Sequence, residues 1–117
     1  MEFSFTKQEK NSIVIYQLSG KLIDTSDIET FTNDAKQEIK SGKNKLILNL
    51  TNLSFLNSSG LNGLITILTK SRNIEGETVL CDLPESIKKL FLVTKLNTVF
   101  TILKNEEEAV KHLNKNA

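Results

Sequence analysis

The chain has 117 residues, 38% hydrophobic and 25% charged, with 15 Lys and Arg against 14 Asp and Glu for a formal net charge of +1. That length and composition predict one soluble globular domain, residues 1–117, with a core large enough to need no metal or disulfide staple. The balanced charge removes the electrostatic ground for nucleic-acid or membrane-surface binding; a lone cysteine, Cys81, excludes an internal disulfide; and with no signal peptide or apolar run of bilayer length the expected compartment is the cytoplasm.

Phe3-Ser4-Phe5-Thr6 alternates apolar and polar residues and predicts a half-buried strand. Ile13-Val14-Ile15-Tyr16-Gln17-Leu18 predicts a second strand, ended by Gly20. Polar residues 7–11 between them suggest a hairpin connection without a recognisable two-residue turn signature. Ser26-Asp27-Ile28-Glu29 reads as a capping box. Behind it, Ile28, Phe31, Ala35 and Ile39 form an apolar stripe at helical spacing, and Gly42 is the expected stop.

In Lys45-Leu46-Ile47-Leu48-Asn49-Leu50, three consecutive apolar residues fit a strand covered on both faces. A polar loop pinned by Leu53, Phe55 and Leu56 is expected next. A second helix begins near Ser58 or Ser59, with Leu61, Leu64, Ile65 and Leu68 as its apolar face, and fades over residues 70–73. Gly76 precedes a strand over residues 77–81, where Cys81 reads as a small buried hydrophobe. Pro84 suits the first position of a short helix carrying Ile87, Leu90 and Phe91. Val99-Phe100-Thr101-Ile102 reads as the last strand. Asn105 caps a final helix whose start, Glu106-Glu107-Glu108, and whose end, with Lys111, His112 and Lys115, both suit the helix dipole. The order β-β-α-β-α-β-α-β-α predicts an α/β fold with a mixed, mainly parallel sheet and right-handed crossovers.

Catalysis finds little support in these residues. His112, the only histidine, sits at the polar end of a helix, and ligands for a histidine–cysteine metal site are lacking. Gly60-Leu61-Asn62-Gly63 is neither a P-loop nor a dinucleotide fingerprint, and Ser58 and Ser59 do not stand in a nucleophile elbow. A phosphoryl-accepting receiver domain would need an aspartate at a central strand end, where Leu50-Thr51 stands instead. No enzymatic activity, cofactor or metal is therefore expected. What remains is an apolar strand feeding a loop that ends in Asn57-Ser58-Ser59-Gly60 at a helix start. A serine there is a routine N-cap worth roughly 1 kcal/mol. One serine meets that need, and a second hydroxyl is left as a candidate phosphorylation site, because the positive helix end tolerates the added charge.

The run Leu46-Ile47-Leu48-Asn49-Leu50-Thr51-Asn52-Leu53-Ser54-Phe55-Leu56-Asn57-Ser58-Ser59-Gly60-Leu61 resembles the signature of the STAS domain, and within it the bacterial anti-sigma factor antagonists. Their pattern is an apolar strand followed by Asp-Leu-Ser-x-aromatic-apolar-Asp-Ser-Ser-Gly-Leu-Gly. The resemblance implies partner switching. The unphosphorylated protein binds an anti-sigma factor that is also a serine kinase, which frees a sigma factor. Phosphorylation of the first serine of the motif, Ser58, breaks the complex, and a metal-dependent serine phosphatase resets it.

Three positions depart from the pattern: Asn57 replaces the usual aspartate, Asn62 the usual glycine, and Ile23 an acidic residue after the second strand, with Asp24 next in line. The implied docking surface comprises Asp24, Phe55, Asn57, Ser59, Gly60, Leu61 and Asn62 around Ser58, with Leu61 partly exposed and Leu64 in the core. The protein is expected to be a monomer or weak dimer, with no direct nucleic-acid or membrane partner. A non-phosphorylated STAS scaffold is the alternative, and Asn57 is the residue that favours it.

Overall fold

The computed structural model describes residues 2–115. The strands are β1 (Ser4–Lys10), β2 (Ile13–Leu22), β3 (Lys45–Leu56), β4 (Glu77–Cys81) and β5 (Thr101–Leu103). The helices are α1 (Thr25–Lys40), α2 (Ser58–Asn73), α3 (Glu85–Val93) and α4 (Glu106–Lys115), with a 3-10 turn at Leu96–Thr98 before β5. The strands form one sheet in the order β1-β2-β3-β4-β5. β1 is antiparallel to β2, and the other neighbours are parallel, as the alternation of strands and helices predicts.

Apolar side chains on successive strand positions point to opposite faces, and each face has its own cover. Val14, Tyr16, Leu18, Leu46, Leu48 and Leu80 pack beneath α1, α2 and α3 through Phe31, Leu64 and Phe91. Ile13, Ile15, Ile47, Val79 and Cys81 pack beneath α4 through Ala109 and Leu113. Three helices on one face and one on the other explain the consecutive apolar run of β3. The stripe predicted for α1 is buried throughout. Its end is a Schellman motif: Gly42 has φ 103°, its N–H donates to the Ile39 carbonyl at 2.9 Å, and the Lys43 N–H donates to Glu38 at 3.0 Å. Asn105 caps α4 as expected, accepting from the Glu108 N–H at 2.9 Å.

Several boundaries differ from expectation. Residues 7–10 belong to β1, and the turn is the pair Asn11-Ser12, both with positive φ (53° and 68°), as a type I′ hairpin requires. The polar side chains of that strand have work on the exposed edge: Lys7 reaches Asp34 at 2.9 Å and Glu38 at 2.6 Å on α1. β2 does not stop at Gly20 but continues to Leu22, and β3 carries an extra residue, Ser54, opposite the step from Gly20 to Lys21. A Cβ at Gly20, which has φ 89°, would lie 2.3 Å from the Glu2 carbonyl oxygen. The cap of α1 is Asp24, which accepts from the Ser26 N–H at 2.9 Å and from the Ser26 hydroxyl at 2.7 Å, so Ser26 lies inside the helix. Pro84 is the N-cap of α3 and not its first residue. Val99 closes the 3-10 turn, and β5 begins only at Thr101.

The largest difference is β3. The expected polar loop after Leu50 is strand, paired to β2 as far as Leu22↔Leu56. Leu53 and Leu56 still point inward, while Ser54 and Phe55 face out.

Candidate functional site

The extended β2 and β3 end side by side, and α2 starts directly from that shared end. Asn57 is the N-cap, in extended conformation (φ −97°, ψ −174°). Its Oδ1 accepts from the Gly60 N–H at 2.9 Å, and its Nδ2 donates to the Ile23 carbonyl at 3.2 Å. The Asn57 N–H reaches the Leu22 carbonyl at 3.4 Å. One side chain thus caps α2 and fastens it to the turn that leads into α1.

This replaces the expectation of a serine cap. Ser58 and Ser59 occupy the first two helical positions, and both are exposed. Neither hydroxyl makes a hydrogen bond among the described residues. The N–H groups of a first helical turn have no carbonyl four residues back within the helix, and they form the positive end of its dipole. The first turn of α2 contains no acidic residue to offset that charge. An anion on either serine would meet a favourable field from its own helix.

Gly60 is a packing requirement. A Cβ there would lie 2.5 Å from the Leu22 carbonyl oxygen and 3.2 Å from the Leu56 Cβ. Gly63 makes the next close approach, where a Cβ would lie 3.1 Å from a Thr32 methyl carbon and 3.2 Å from one of Ile28. Asn62, at the position where the family pattern has glycine, is exposed, and a side chain fits there freely. Leu61 was expected to be partly exposed but is only 7% exposed and packs in the main core. Of the residues expected to dock a partner, Gly60 and Leu61 therefore shape the helix start from inside. Asp24, Ser59, Asn62 and a half-exposed Phe55 are at the surface, and Asn57 is intermediate. The Ser26 hydroxyl, and then its N–H, hold the fully exposed Asp24 carboxyl below its ordinary range. Asp24 adjoins the site through Ile23, whose carbonyl Asn57 holds and whose side chain is 43% exposed.

A polar centre that sequence reasoning missed lies under α4. Asn49 is 6% exposed; its Nδ2 donates to Glu106 at 2.7 Å and Asp82 at 3.3 Å. Its Oδ1 accepts from the Thr51 N–H at 2.9 Å and hydroxyl at 2.6 Å. The signal in the sequence is an amide that interrupts the apolar run Leu46-Ile47-Leu48-Asn49-Leu50, at the period-two spacing that places it on the same face as Ile47. Every polar group of that amide is satisfied, so Asn49 ties α4 to the sheet. Cys81 is fully buried, and burial, followed by the neighbouring Asp82, pushes its thiol far above the ordinary range, which matches its reading as an inert hydrophobe. His112 lies in the last turn of α4. Among the described residues no group of three or more His, Cys, Asp or Glu side chains could hold a metal ion, and no helix is long and apolar enough to cross a membrane.

Comparison with known proteins agrees with this geometry. The family model described as the STAS domain matches residues 4–109. BtrV of Bordetella bronchiseptica, assigned as an anti-sigma factor antagonist, is 22% identical over 104 residues, 89% of each chain. A Thermotoga maritima structure assigned likewise superposes with a TM-score of 0.87 at 21% identity, covering 94% of both chains. The anti-sigma factor antagonist SpoIIAA has been solved unphosphorylated, with a TM-score of 0.76, 22% identity and coverage of 95% of this chain and 98% of that one. The phosphorylated form, from Bacillus, gives 0.74 and 23%, covering 93% and 98%.

Proposed function

The chain belongs to the STAS domain family, and from that premise we propose that it is an anti-sigma factor antagonist that works by partner switching, with Ser58 as the phosphate acceptor. The observation that carries the proposal is the exposed Ser58 hydroxyl at the first position of α2, unbonded because Asn57 does the capping. That a relative of the same fold exists in phosphorylated and unphosphorylated forms supports it.

In this reading the unphosphorylated protein docks an anti-sigma factor that is also a serine kinase, through the surface around Asp24, Phe55, Asn57, Ser59 and Asn62, with Gly60 and Leu61 shaping it from within. A sigma factor is thereby freed. The kinase supplies ATP and the catalytic groups. The Ser58 oxygen takes the γ-phosphoryl group, ADP leaves, and the hydroxyl proton passes to the kinase. The product carries about −1.5 to −2 charges at neutral pH. Its own helix tolerates that charge, whereas a partner packed on the same surface must desolvate it or be expelled. A metal-dependent serine phosphatase hydrolyses the phosphoserine and restores binding. The chain acts as one domain, residues 1–117, a monomer or weak dimer in the cytoplasm, with no catalytic role of its own and no nucleic-acid partner.

The departure at Asn57 has a physical account. An aspartate could cap α2 but could not donate to the Ile23 carbonyl. The amide does both and leaves Ser58 without a carboxylate as its chain neighbour. The competing reading, an unphosphorylated scaffold, rests on that same residue. A pull-down with wild type and Ser58→Asp, followed by kinase labelling with ATP and mass spectrometry of the Ser58 peptide, separates the two. Labelling at Ser58 and loss of the kinase from the Ser58→Asp pull-down are expected. An unlabelled Ser58 with partners retained by both proteins would favour the scaffold.

A further inference from the structure

A groove of roughly 300 Å3 runs between the end of β3 and α3, lined by Ser54, Phe55, Ile87, Lys89, Leu90 and Val93. Its rim is unusually apolar for a surface. Phe55 is 50% exposed and Val93 80%. Six large hydrophobic side chains are exposed among the described residues, and two of them, Phe55 and Val93, line this groove. Such concentrations mark interaction sites more often than scattered exposed residues do.

The charge lining the groove is a single cation, Lys89. Lys89 makes no ion pair among the described residues, whereas Lys88 lies on the other side of α3, beside Pro84 and Leu103, and meets Glu85 at 3.7 Å. The complement of an apolar groove with a cationic flank is an apolar ridge with an acidic flank. The groove is also continuous with the switch, since Phe55 stands three residues before Ser58 on the strand that delivers it.

We propose that this groove seats an amphipathic helix of the anti-sigma partner, its apolar ridge against Phe55, Leu90 and Val93 and an acidic side chain against Lys89. The inference rests on the partner-switching reading and deepens it. The groove supplies the area and apolar contact that give affinity, while Ser58 supplies the charge that ends the contact. Phosphorylation then acts at the edge of the interface and leaves the groove itself unchanged.

The test titrates the anti-sigma kinase recovered in the pull-down against wild type, Val93→Ser, Lys89→Glu and Ser58→Asp. Val93 and Lys89 are exposed, so thermal melts of those variants are expected to overlay the wild type. Val93→Ser is expected to weaken binding at least tenfold. Lys89→Glu is expected to weaken it severalfold, with a shallower salt dependence. If Ser58→Asp weakens binding while both groove variants stay within twofold of wild type, the groove inference is overturned and partner switching stands. If wild type binds no kinase, or Ser58→Asp binds as well as wild type, the partner-switching reading falls and takes the inference with it. If Val93→Ser instead abolishes self-association in sedimentation and leaves kinase binding intact, the groove is a face between two copies of this chain, and the inference is overturned.

Discussion

Replacing Asn57 with alanine removes two bonds at once, the cap on Gly60 at 2.9 Å and the tie to the Ile23 carbonyl at 3.2 Å. Loss of a side-chain N-cap costs about 1 kcal/mol. A neutral hydrogen bond at a partly exposed site contributes about 0.5–1 kcal/mol more. The expected destabilisation is therefore about 1.5–2 kcal/mol, or a fall in melting temperature of about 5–10 °C for a chain of this size. Ser58→Ala and Ser59→Ala, which remove unbonded hydroxyls from exposed helical positions, should stay within about 0.5 kcal/mol of wild type. Asn57→Asp keeps the acceptor and adds charge at the positive helix end. It also loses the donor to Ile23, so it should fall between the wild type and the alanine variant. Urea unfolding followed by far-ultraviolet circular dichroism measures all four. An alanine at 58 as costly as one at 57 would refute the assignment of the cap.

Gly60→Ala places a methyl group 2.5 Å from the Leu22 carbonyl oxygen; the overpacking, about 1–3 kcal/mol, should outweigh the gain of about 1 kcal/mol in helix propensity, and a raised urea midpoint would contradict the close approach. Leu64→Ala empties a fully buried position and should cost about 2–5 kcal/mol in the same assay, and a loss under 1 kcal/mol would mean that Leu64 is not core. The Lys7 hydrogen bond, more than any other contact, holds the Glu38 carboxyl below its ordinary range. A lowered carboxylate contributes stability above its unfolded pKa and loses it as pH falls through the folded one. Glu38→Gln should therefore flatten the decline in urea midpoint between about pH 5 and pH 3, less so in 1 M salt; an unchanged acid limb would exclude that ion pair as a contributor.

Features decided by near neighbours were legible in the sequence. The α1 stripe, the Schellman stop at Gly42, the Asn105 cap and the consecutive apolar run in β3 each depend on residues within a turn or two. The alternation of strands and helices carried the parallel sheet with it. The motif around Ser58 was legible as well, but the division of labour inside it was not. Both Asn57 and Ser58 are residue types that cap helices, and nothing local says which one does. The Ile23 carbonyl, 34 positions away, decides it by engaging the other end of the Asn57 amide.

Residues 51–56 show the same limit in a strand. Their composition is that of a loop, yet pairing with β2, with the extra residue at each register shift on β3, extends β3 to Leu56. The role of Asn49 is not legible locally, because its partners Asp82 and Glu106 come from just after β4 and from the start of α4.

The sequence by itself determined the order of elements, the two-sided burial of the sheet and the pair of serines at a helix start, because periodicity and capping chemistry act over a few residues. Only the tertiary structure decided that Asn57 caps α2, that Gly60 and Leu61 lie inside and that Ser58 is left exposed with its hydroxyl unbonded. Those outcomes depend on how closely α2 approaches the end of β2, a distance set by sheet pairing between segments far apart in the chain.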